Sequence, residues 1–134
     1  MIGCDVAHGA SGQNNSIMIG SEAGVNAVVN NPNLASDWSN VFIGSSAGYD
    51  SQDTAYTIAI GNGAGKNSDS STDAIFIGNS AGLNASYTKC IGIGKHALEG
   101  SASTEEGGNG NIEIVAGLLN TQRLFHPSVV ENAT

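Results

Sequence analysis

A glycine-rich segment is the part of this sequence whose residue types come nearest to a reactive site. It reads Gly61-Asn62-Gly63-Ala64-Gly65-Lys66-Asn67. A phosphate-binding loop has a similar composition, but it places four residues between its first glycine and the final Gly-Lys pair, followed by a Ser or Thr that binds magnesium. Here the first glycine stands one residue too close, and Asn67 takes the place of the hydroxyl residue. We therefore predict that the chain binds no nucleotide and no other cofactor.

Histidine and aspartate side chains are the candidate metal ligands. The histidines are far apart and show no ligand spacing such as H-x-H; they are His8, His96 and His126. Four aspartates lie in polar segments that resemble turns: Asp50, Asp53, Asp69 and Asp73. Acidic turns bind calcium in some repeat proteins, but the G-G-x-G-x-D nonapeptide of those proteins is missing. We predict solvated turn residues and no metal site, with calcium binding by these turns as the open alternative.

Nucleophilic side chains show no supporting partners. Ser51, Ser70 and Ser86 have no histidine or acid at a regular offset, so no catalytic triad can be assembled. Cys4 and Cys90 lie about five repeats apart, which is over ~20 Å in a stack of strands ~4.8 Å apart and too far for a disulfide. We predict that the chain is not an enzyme. An enzyme that acts on surface polysaccharide would need carboxylate pairs in a groove between chains.

Net charge limits the range of partners. The chain has 4 Lys and Arg against 12 Asp and Glu, which gives a formal charge of −8. Nucleic acids and anionic membranes bind basic patches, so we expect neither as a partner. No segment has the ~20 apolar residues of a membrane span. The first residues also lack the basic and apolar regions of a secretory signal, which predicts folding in the cytoplasm where the chain is made.

A repeated motif determines the fold that has to position these residues. The pattern I-x-I-G-x-x-A-G-x-[ND] occurs four times and is followed by a weaker fifth copy; the copies begin at Ile17, Val41, Ile58, Ile75 and Ile91. Ile2-Gly3 is a candidate remnant of an earlier copy, and Ile112 to Ile114 is a candidate further strand. The copies are about 17 residues apart, with seven extra residues in the second. Such periods are typical of stacked units, so we predict an all-β fold, a β-roll or β-solenoid of about 17-residue coils.

Each I-x-I triplet is predicted to be a short strand whose outer side chains point to one face and whose middle side chain points to the other. We predict that the outer residues form the core of the coils: Ile17, Ile19, Val41, Ile43, Ile58, Ile60, Ile75, Ile77, Ile91 and Ile93. A strand that is apolar on both faces is buried on both, so we predict that the middle residues form an oligomer interface: Met18, Phe42, Ala59, Phe76 and Gly92. A homotrimer around a common axis is the simplest closed arrangement. The polar runs 51–54, 68–73 and 85–89 are predicted to be exposed returns.

Three regions are predicted along the chain. Residues 1–15 are an N-terminal cap or degenerate coil. Residues 16–117 are the repeat β-roll, with an inserted loop at 27–39 that contains Pro32 and the only tryptophan, Trp38. Residues 118–134 contain no glycine and are predicted to be a C-terminal cap, a linker or the start of another module.

The repeat resembles those of two groups of surface fibres. Over roughly residues 16 to 98, the string S/N-[IV]-x-I-G-x-x-A-G is similar to the head repeats of trimeric autotransporter adhesins (YadA-like), which form left-handed β-roll trimers, and to the I-G-x-x-A-G arrays of bacteriophage tail fibres. The period is longer here than in the adhesin heads, and glycine follows the alanine. An adhesin of that type carries a secretion signal and a membrane anchor, and neither is found here. The resemblance therefore implies a virion fibre, made in the host cytoplasm, with a trimeric shaft or knob segment that contacts other virion or fibre proteins.

The alternative function is an adhesin head that binds a host glycan or matrix protein. Trp38 and Tyr56 are the candidate receptor contacts, because aromatic side chains on a polar surface stack on sugars and proteins. The competing interpretation is that Trp38 packs back over the edge of its coil. An ice-binding surface would need ranks of threonine, and Thr57, Thr72 and Thr88 do not share one column.

Overall fold

The structure, a computed structural model, describes residues 1–11, 15–28, 39–100, 110 and 112–114. Its strands are all three residues long: β1 (Ile17–Ile19), β2 (Val41–Ile43), β3 (Ile58–Ile60), β4 (Ile75–Ile77), β5 (Ile91–Ile93) and β6 (Ile112–Ile114). They form one parallel sheet in sequence order. Each strand is therefore followed by a return that brings the chain back beside the start of the strand. The predicted all-β solenoid is confirmed.

The register of the strands follows the repeat. Val41 pairs with Ile58 and Ile58 pairs with Ile75, so each of these coils has the length of one repeat. Residues 1–11 run beside the coil of β1 at the same spacing, because Ile2 bridges to Ile19. β6 lies where the sequence predicts a further triplet. Most of the predicted inserted loop, including Trp38, and the predicted C-terminal region 118–134 lie outside the described residues.

The interior of the coils is filled by the middle residues of the strands, so the predicted orientation was wrong. Met18, Phe42 and Phe76 are at most 2% exposed, and Ala59 is fully buried. Gly92 is buried at the same position of β5. These five residues belong to the core of their own chain and cannot form the predicted oligomer interface. The residues predicted to be the core lie on the outer face: Ile17, Ile19, Val41, Ile43, Ile58, Ile60, Ile75, Ile77, Ile91 and Ile93.

Space inside the coil explains why only one side chain of each triplet points inward. The Ala-Gly pair of the same coil lies against the strand from the other side, and Ala47 is fully buried there. A Cβ on Gly48 would lie 2.5 Å from the Phe42 ring, so the ring occupies the room that this glycine leaves. Two bulky isoleucine side chains per strand would not fit in this space, because protein interiors are close-packed.

In the fifth coil, the middle residue of the strand is small and the corner residue six positions later is large, the reverse of the earlier coils that contain Met or Phe in the strand. In the earlier coils a middle residue such as Phe76 is followed six residues later by glycine, here Gly82. In the fifth coil the middle residue is Gly92, and the residue six positions later is Leu98, which is 8% exposed. A Cβ on Gly92 would meet Leu98 Cδ1 at 3.1 Å, so the leucine fills the space that the strand residue leaves open. The two positions therefore share one volume in the core.

Hydrogen bonds between coils run along the corners as well as the strands. Asn67 N–H donates to the Tyr49 carbonyl at 2.8 Å, and Asn84 N–H donates to the Lys66 carbonyl at 2.9 Å. Both asparagines have positive φ values, of 51° and 55°, which asparagine tolerates better than most residues. The Asn67 amide also donates to the Asn84 side-chain oxygen at 3.2 Å. Asparagine therefore suits the left-handed turn at this position of the repeat.

Part of the core is polar, which corrects the prediction that the polar runs are exposed throughout. Ser51, Ser68 and Ser71 are at most 1% exposed. The Ser51 hydroxyl donates to the Gly48 carbonyl and the Ser68 hydroxyl to the Gly65 carbonyl, each at 2.8 Å. Because short hydroxyl side chains can bond the backbone of their own turn, they are buried here with hydrogen-bond partners. The runs 51–54 and 68–73 thus contain both buried residues and residues that are partly or fully exposed.

At β6 a side chain takes over a hydrogen bond that the backbone makes elsewhere. Gly65 and Gly82 each donate their N–H to the alanine carbonyl of the next coil at 2.8 Å. The N–H of Leu98, at the same position of the fifth coil, instead donates to the Glu113 carboxylate at 2.6 Å. Glu113 is the half-buried middle residue of β6. Its carboxylate therefore supplies the missing acceptor at this end of the described coils.

We expect Glu113→Ala to lower the free energy of unfolding by about 1–3 kcal/mol, because it leaves the Leu98 N–H without its acceptor. Glu113→Gln is the matched control, since its amide oxygen can accept the same bond, and we expect it to lose less than half as much. Urea denaturation followed by circular dichroism measures both values. Equal losses in the two variants would contradict the role of Glu113 as a hydrogen-bond acceptor.

Candidate functional site

The outer face of the sheet is an aligned set of partly exposed apolar side chains. We name the side chains of Ile17, Ile19, Val41, Ile43, Ile58, Ile60, Ile75, Ile77, Ile91 and Ile93 the isoleucine face. They occupy the first and third positions of β1 to β5, and strand pairing aligns them in two columns. Ile17 is 52% exposed and Ile93 36%, whereas the eight between them are half-buried by their neighbours above and below. Ile112 and Ile114 extend the columns in β6 and are 69% and 68% exposed.

Short strands keep this face narrow. The two columns are about 7 Å apart, because alternate residues of a strand are separated by two rises of roughly 3.3 Å. All ten side chains are apolar. Polar residues follow immediately on both sides: Asn62 and Asn79 lie two residues after the third column, and Tyr56 and Asp73 lie two residues before the first. These four residues are exposed. An apolar strip with polar margins is typical of a surface that associates with another protein.

Tyr56 is the predicted receptor contact that the structure describes. Its side chain is 48% exposed, and its backbone has a φ of 52°. A positive φ is uncommon for a bulky residue, and here it follows from the sharp corner that leads into β3. Asp73 and Lys89 stand at the equivalent positions of the next two coils, with φ values of 55°. The structure therefore places Tyr56 at the margin of the isoleucine face.

The glycine-rich segment has no free phosphate cradle, because its backbone N–H groups are already used. Gly63 N–H donates to the Ser45 carbonyl and Gly65 N–H to the Ala81 carbonyl, each at 2.8 Å. The Lys66 ammonium lies 4.7 Å from the centre of the Tyr49 ring, a distance at which a cation is attracted to an aromatic face. These glycines therefore stack the coils, and this lysine packs on a tyrosine.

The four candidate calcium ligands lie at different positions of the coil. Asp69 bridges to Gln52, whereas Asp73 takes the position that Tyr56 has in the coil before it. Asp50 stands one repeat before Asn67, and Asp53 stands one repeat before Ser70. Across the described ranges no group of three or more His, Cys, Asp or Glu could hold a metal ion.

Other titratable side chains lie at one corner of the fifth coil and in a cleft near the N-terminus. His96 contacts Glu99 three residues on. An open cleft of about 330 Å³ near the N-terminus is lined by Asp5, His8, Glu22, Val25 and Tyr49. Within it the Glu22 carboxylate accepts a hydrogen bond from Ser46 at 2.9 Å.

The cysteines are far apart in the stack and both are free thiols. A hydrogen bond to the neighbouring Asp5 carboxylate is the main cause that raises the pKa of the exposed Cys4 thiol. Burial raises the pKa of the Cys90 thiol to about 11. Because the thiolate is the reactive form, both thiols are less reactive than an unperturbed cysteine at neutral pH.

No known protein family, curated protein or solved structure matches this chain. In the part of the chain that the structure describes, no helix has the length and apolar character needed to cross a bilayer. The isoleucine face is an extended apolar surface of the described coils. The sequence identified its residues but assigned them to the wrong side of the strand.

One sequence signal could have shown which side of the strand faces the interior: a large and a small residue exchange places between two positions six residues apart. Met18, Phe42 and Phe76 are each paired with a glycine, while Gly92 is paired with Leu98. Two positions that exchange a large and a small side chain between coils share one space. Since the second position belongs to the Ala-Gly corner, the shared space has to be the coil interior. The isoleucine columns then point outward.

Proposed function

We propose that this chain is a structural segment of a virion fibre, a shaft or knob that works as a homotrimer. The observation that supports this best is the isoleucine face, an apolar strip that runs the length of a regularly stacked solenoid. A stack of six parallel strands gives a rod about 24 Å long, because neighbouring strands lie about 4.8 Å apart. Such a rod can transmit force and hold the structures at its two ends a fixed distance apart, which are the tasks of a fibre segment.

Burial of the exposed apolar area would favour association of the chain. Full burial of one isoleucine side chain contributes about 1.5–3 kcal/mol, and the partly exposed side chains of β1 to β6 leave the equivalent of several uncovered. Covering them therefore contributes on the order of 10 kcal/mol per chain. Association costs roughly 4–15 kcal/mol in lost freedom of motion, so the face can support an oligomer when its polar margins also pair.

The partners and location of the chain form part of the same proposal. The fibre would be made in the host cytoplasm and carried on the virion, where other virion or fibre proteins adjoin the segment. The charge of −8 supports solubility and works against binding to nucleic acid, because phosphate backbones bind basic surfaces. Catalysis, metal and cofactors have no role in this function.

We expect light scattering on the purified full chain to give a mass of three times 13.5 kDa. A mass of 13.5 kDa across the accessible concentration range would contradict the homotrimer. Ile58→Asp tests whether the isoleucine face holds the trimer together. A carboxylate on this face is costly to bury, so we expect this change to dissociate the oligomer. Asp69→Asn is the matched control in the same coil, at an exposed position outside the face, and should leave the mass unchanged.

A second function, an adhesin head that binds a host glycan or matrix protein, is favoured by the exposed Tyr56. Immunogold labelling with an antibody to this chain separates the two functions. Label on the appendages of virions supports the fibre, whereas label on a bacterial envelope supports the adhesin. Tyr56→Ala and Trp38→Ala should lower adsorption to host cells at unchanged oligomer mass if these residues contact a receptor, and should have no effect on adsorption if the segment is only mechanical.

A further inference from the structure

We propose that Asn62 is a site of spontaneous deamidation, and that the stacking of its coil on both neighbouring coils prevents the reaction until the stack opens. Asn62 and Gly63 form an Asn-Gly pair in the glycine-rich segment. Such a pair is chemically labile in a flexible chain, because glycine has no Cβ to hinder attack by its own nitrogen. The site goes beyond the proposed function, since it does not depend on a fibre or on an oligomer.

The reaction consumes only water. The Gly63 nitrogen attacks the side-chain carbonyl carbon of Asn62 and loses its proton, the amide nitrogen takes up that proton, and ammonia leaves as a cyclic succinimide forms. Water then opens the ring at one of its two carbonyl carbons. Breaking the newly formed bond gives aspartate with the original backbone. Breaking the original peptide bond gives isoaspartate, in which the main chain runs through the side-chain carbons.

The fold opposes the first step by holding the peptide between Asn62 and Gly63 from both sides. Gly63 N–H donates to the Ser45 carbonyl of the preceding coil at 2.8 Å, and the Asn62 carbonyl accepts a bond from the Ser80 N–H of the following coil at 2.9 Å. The attacking nitrogen has to lose its proton and turn toward the side chain. A buried N–H that is bonded to a carbonyl cannot do so without the cost of breaking that bond.

The exposed side chain of Asn62 is restrained less than the peptide that follows it. Gly63 is buried, whereas Asn62 is exposed. The Asn62 side-chain oxygen accepts one hydrogen bond from the Asn79 amide, at 3.4 Å. Because water already reaches this side chain, the step that limits the reaction is release of the peptide. Release requires the coil of β3 to separate from the coils of β2 and β4, which carry Ser45 and Ser80.

The two products have different effects on the stack. Aspartate keeps the backbone unchanged, and its carboxylate can still accept the Asn79 amide. Isoaspartate adds one atom to the main chain between β3 and the buried corner at Ala64. The bonds to Ser45 and Ser80 then cannot both form at the period of the other coils. A coil that reacts to isoaspartate while it is open therefore cannot restack, and this opening becomes irreversible.

Peptide mapping by mass spectrometry measures the reaction in the full chain, kept in mildly alkaline buffer with and without denaturing urea. Deamidation exchanges an amino group for a hydroxyl, and electron-transfer fragmentation separates isoaspartate from aspartate. Gly63→Ser is the matched control, because it gives Asn62 the neighbour that Asn79 has in the next coil. Phe76→Gly removes a fully buried ring one coil along and leaves the reacting pair unchanged, so it tests whether opening controls the rate.

We expect Asn62 to react at least about tenfold more slowly in buffer than in urea, because the closed stack reacts only through local opening. Gly63→Ser should slow the reaction in urea several-fold. Phe76→Gly should raise the rate in buffer at least about tenfold, since it makes opening more frequent. If circular dichroism shows that Phe76→Gly is unfolded, the unmodified chain just below its urea transition provides the same test, with the same expected rise. Isoaspartate should be confined to molecules that do not refold when urea is removed.

Each contrary outcome rejects one statement. Absence of reaction at Asn62 in urea would overturn the site itself. Equal rates in buffer and in urea would overturn protection by the stack. A rate in buffer that neither Phe76→Gly nor low urea raises would overturn opening as the controlling step. Isoaspartate in molecules with the native circular dichroism spectrum would overturn the irreversible step. A monomeric mass by light scattering would overturn the proposed trimer and leave all of these results unaffected.

Discussion

Replacing Gly61 with alanine will abolish the cooperative unfolding transition of this chain. Gly61 follows β3 with a φ of +137°, a backbone conformation that side chains essentially exclude. A Cβ at this position would lie 2.4 Å from the Gly78 carbonyl oxygen and 2.6 Å from its carbon, both backbone atoms of the next coil. Since the colliding atoms cannot rotate away, the coils would have to move apart. We expect a loss of more than about 4 kcal/mol, which belongs to the exceptional range for one substitution.

The separation of two coils would also break the hydrogen bonds that hold them in register. Gly78 N–H donates to the Ile60 carbonyl and Gly65 N–H to the Ala81 carbonyl, each at 2.8 Å. In a repeat protein each coil is stabilised by its neighbours, so damage between β3 and β4 divides the stack near its middle. Circular dichroism during thermal unfolding should show a broad, low-temperature loss of signal in place of one transition.

Gly63→Ser is the control for the same coil. Gly63 also has a positive φ, of 63°, but a Cβ there would meet only Ser80 Oγ, at an ordinary contact distance of 3.8 Å. Serine already occupies this position in two neighbouring coils, as Ser46 and Ser80, with φ values of 54° and 57°. We expect a loss of about 1–2 kcal/mol, the usual cost of a left-handed residue. Similar losses in Gly61→Ala and Gly63→Ser would show that backbone conformation alone, and not the contact between coils, sets the requirement for glycine.

The sequence predicted the strands because their signal is local and repeated. A triplet such as Ile58 to Ile60, followed by glycine and recurring at a regular interval, specifies a short strand, a corner and a parallel neighbour in one step. The register of the sheet follows from the period, and the structure pairs Ile58 with Ile75 accordingly. Even the isolated triplet at Ile112 forms a strand, although its copy of the motif lacks the glycine.

The direction in which the strands face could not be derived from apolar periodicity. Alternation shows that Ile58 and Ile60 share one face and that Ala59 lies on the other, but both faces are apolar, so hydrophobicity does not select the interior. The decision depends on the volume left by the Ala-Gly corner, which is a property of two segments together. For the same reason the polar run at Ser51 was misjudged, since its burial depends on a hydrogen bond to the Gly48 carbonyl. Trp38 and most of its loop lie outside the described residues, and the role of Trp38 stays a prediction.

Exchanging the sizes of Phe76 and Gly82 will restore stability that each single change removes. Phe76→Gly deletes a fully buried ring and should cost about 3–5 kcal/mol. Gly82→Leu should also be strongly destabilising, because a Cβ there would lie 2.5 Å from the Phe76 ring and overpacking is costly. The double variant reproduces the fifth coil, where Gly92 is combined with Leu98 at a φ of 53°. We expect it to be at least about 2 kcal/mol more stable than the sum of the single losses, as residues that share one space are coupled.

The unmodified chain, the two single variants and the double variant form a double-mutant cycle. Urea denaturation measures their free energies of unfolding at one fixed chain concentration, since association would otherwise change the apparent stability. The control cycle combines Phe76→Gly with Gly63→Ser, whose Cβ would lie near Ser80 Oγ and not beside the ring. Distant changes add within about 0.5 kcal/mol, and we expect additivity there. If Phe76→Gly left the unfolding of the monomer unchanged and only dissociated an oligomer, the middle column would be an interface after all. Coupling confined to the Phe76 and Gly82 pair would instead locate that column in the core, and the isoleucine columns would then be the surface available to other copies.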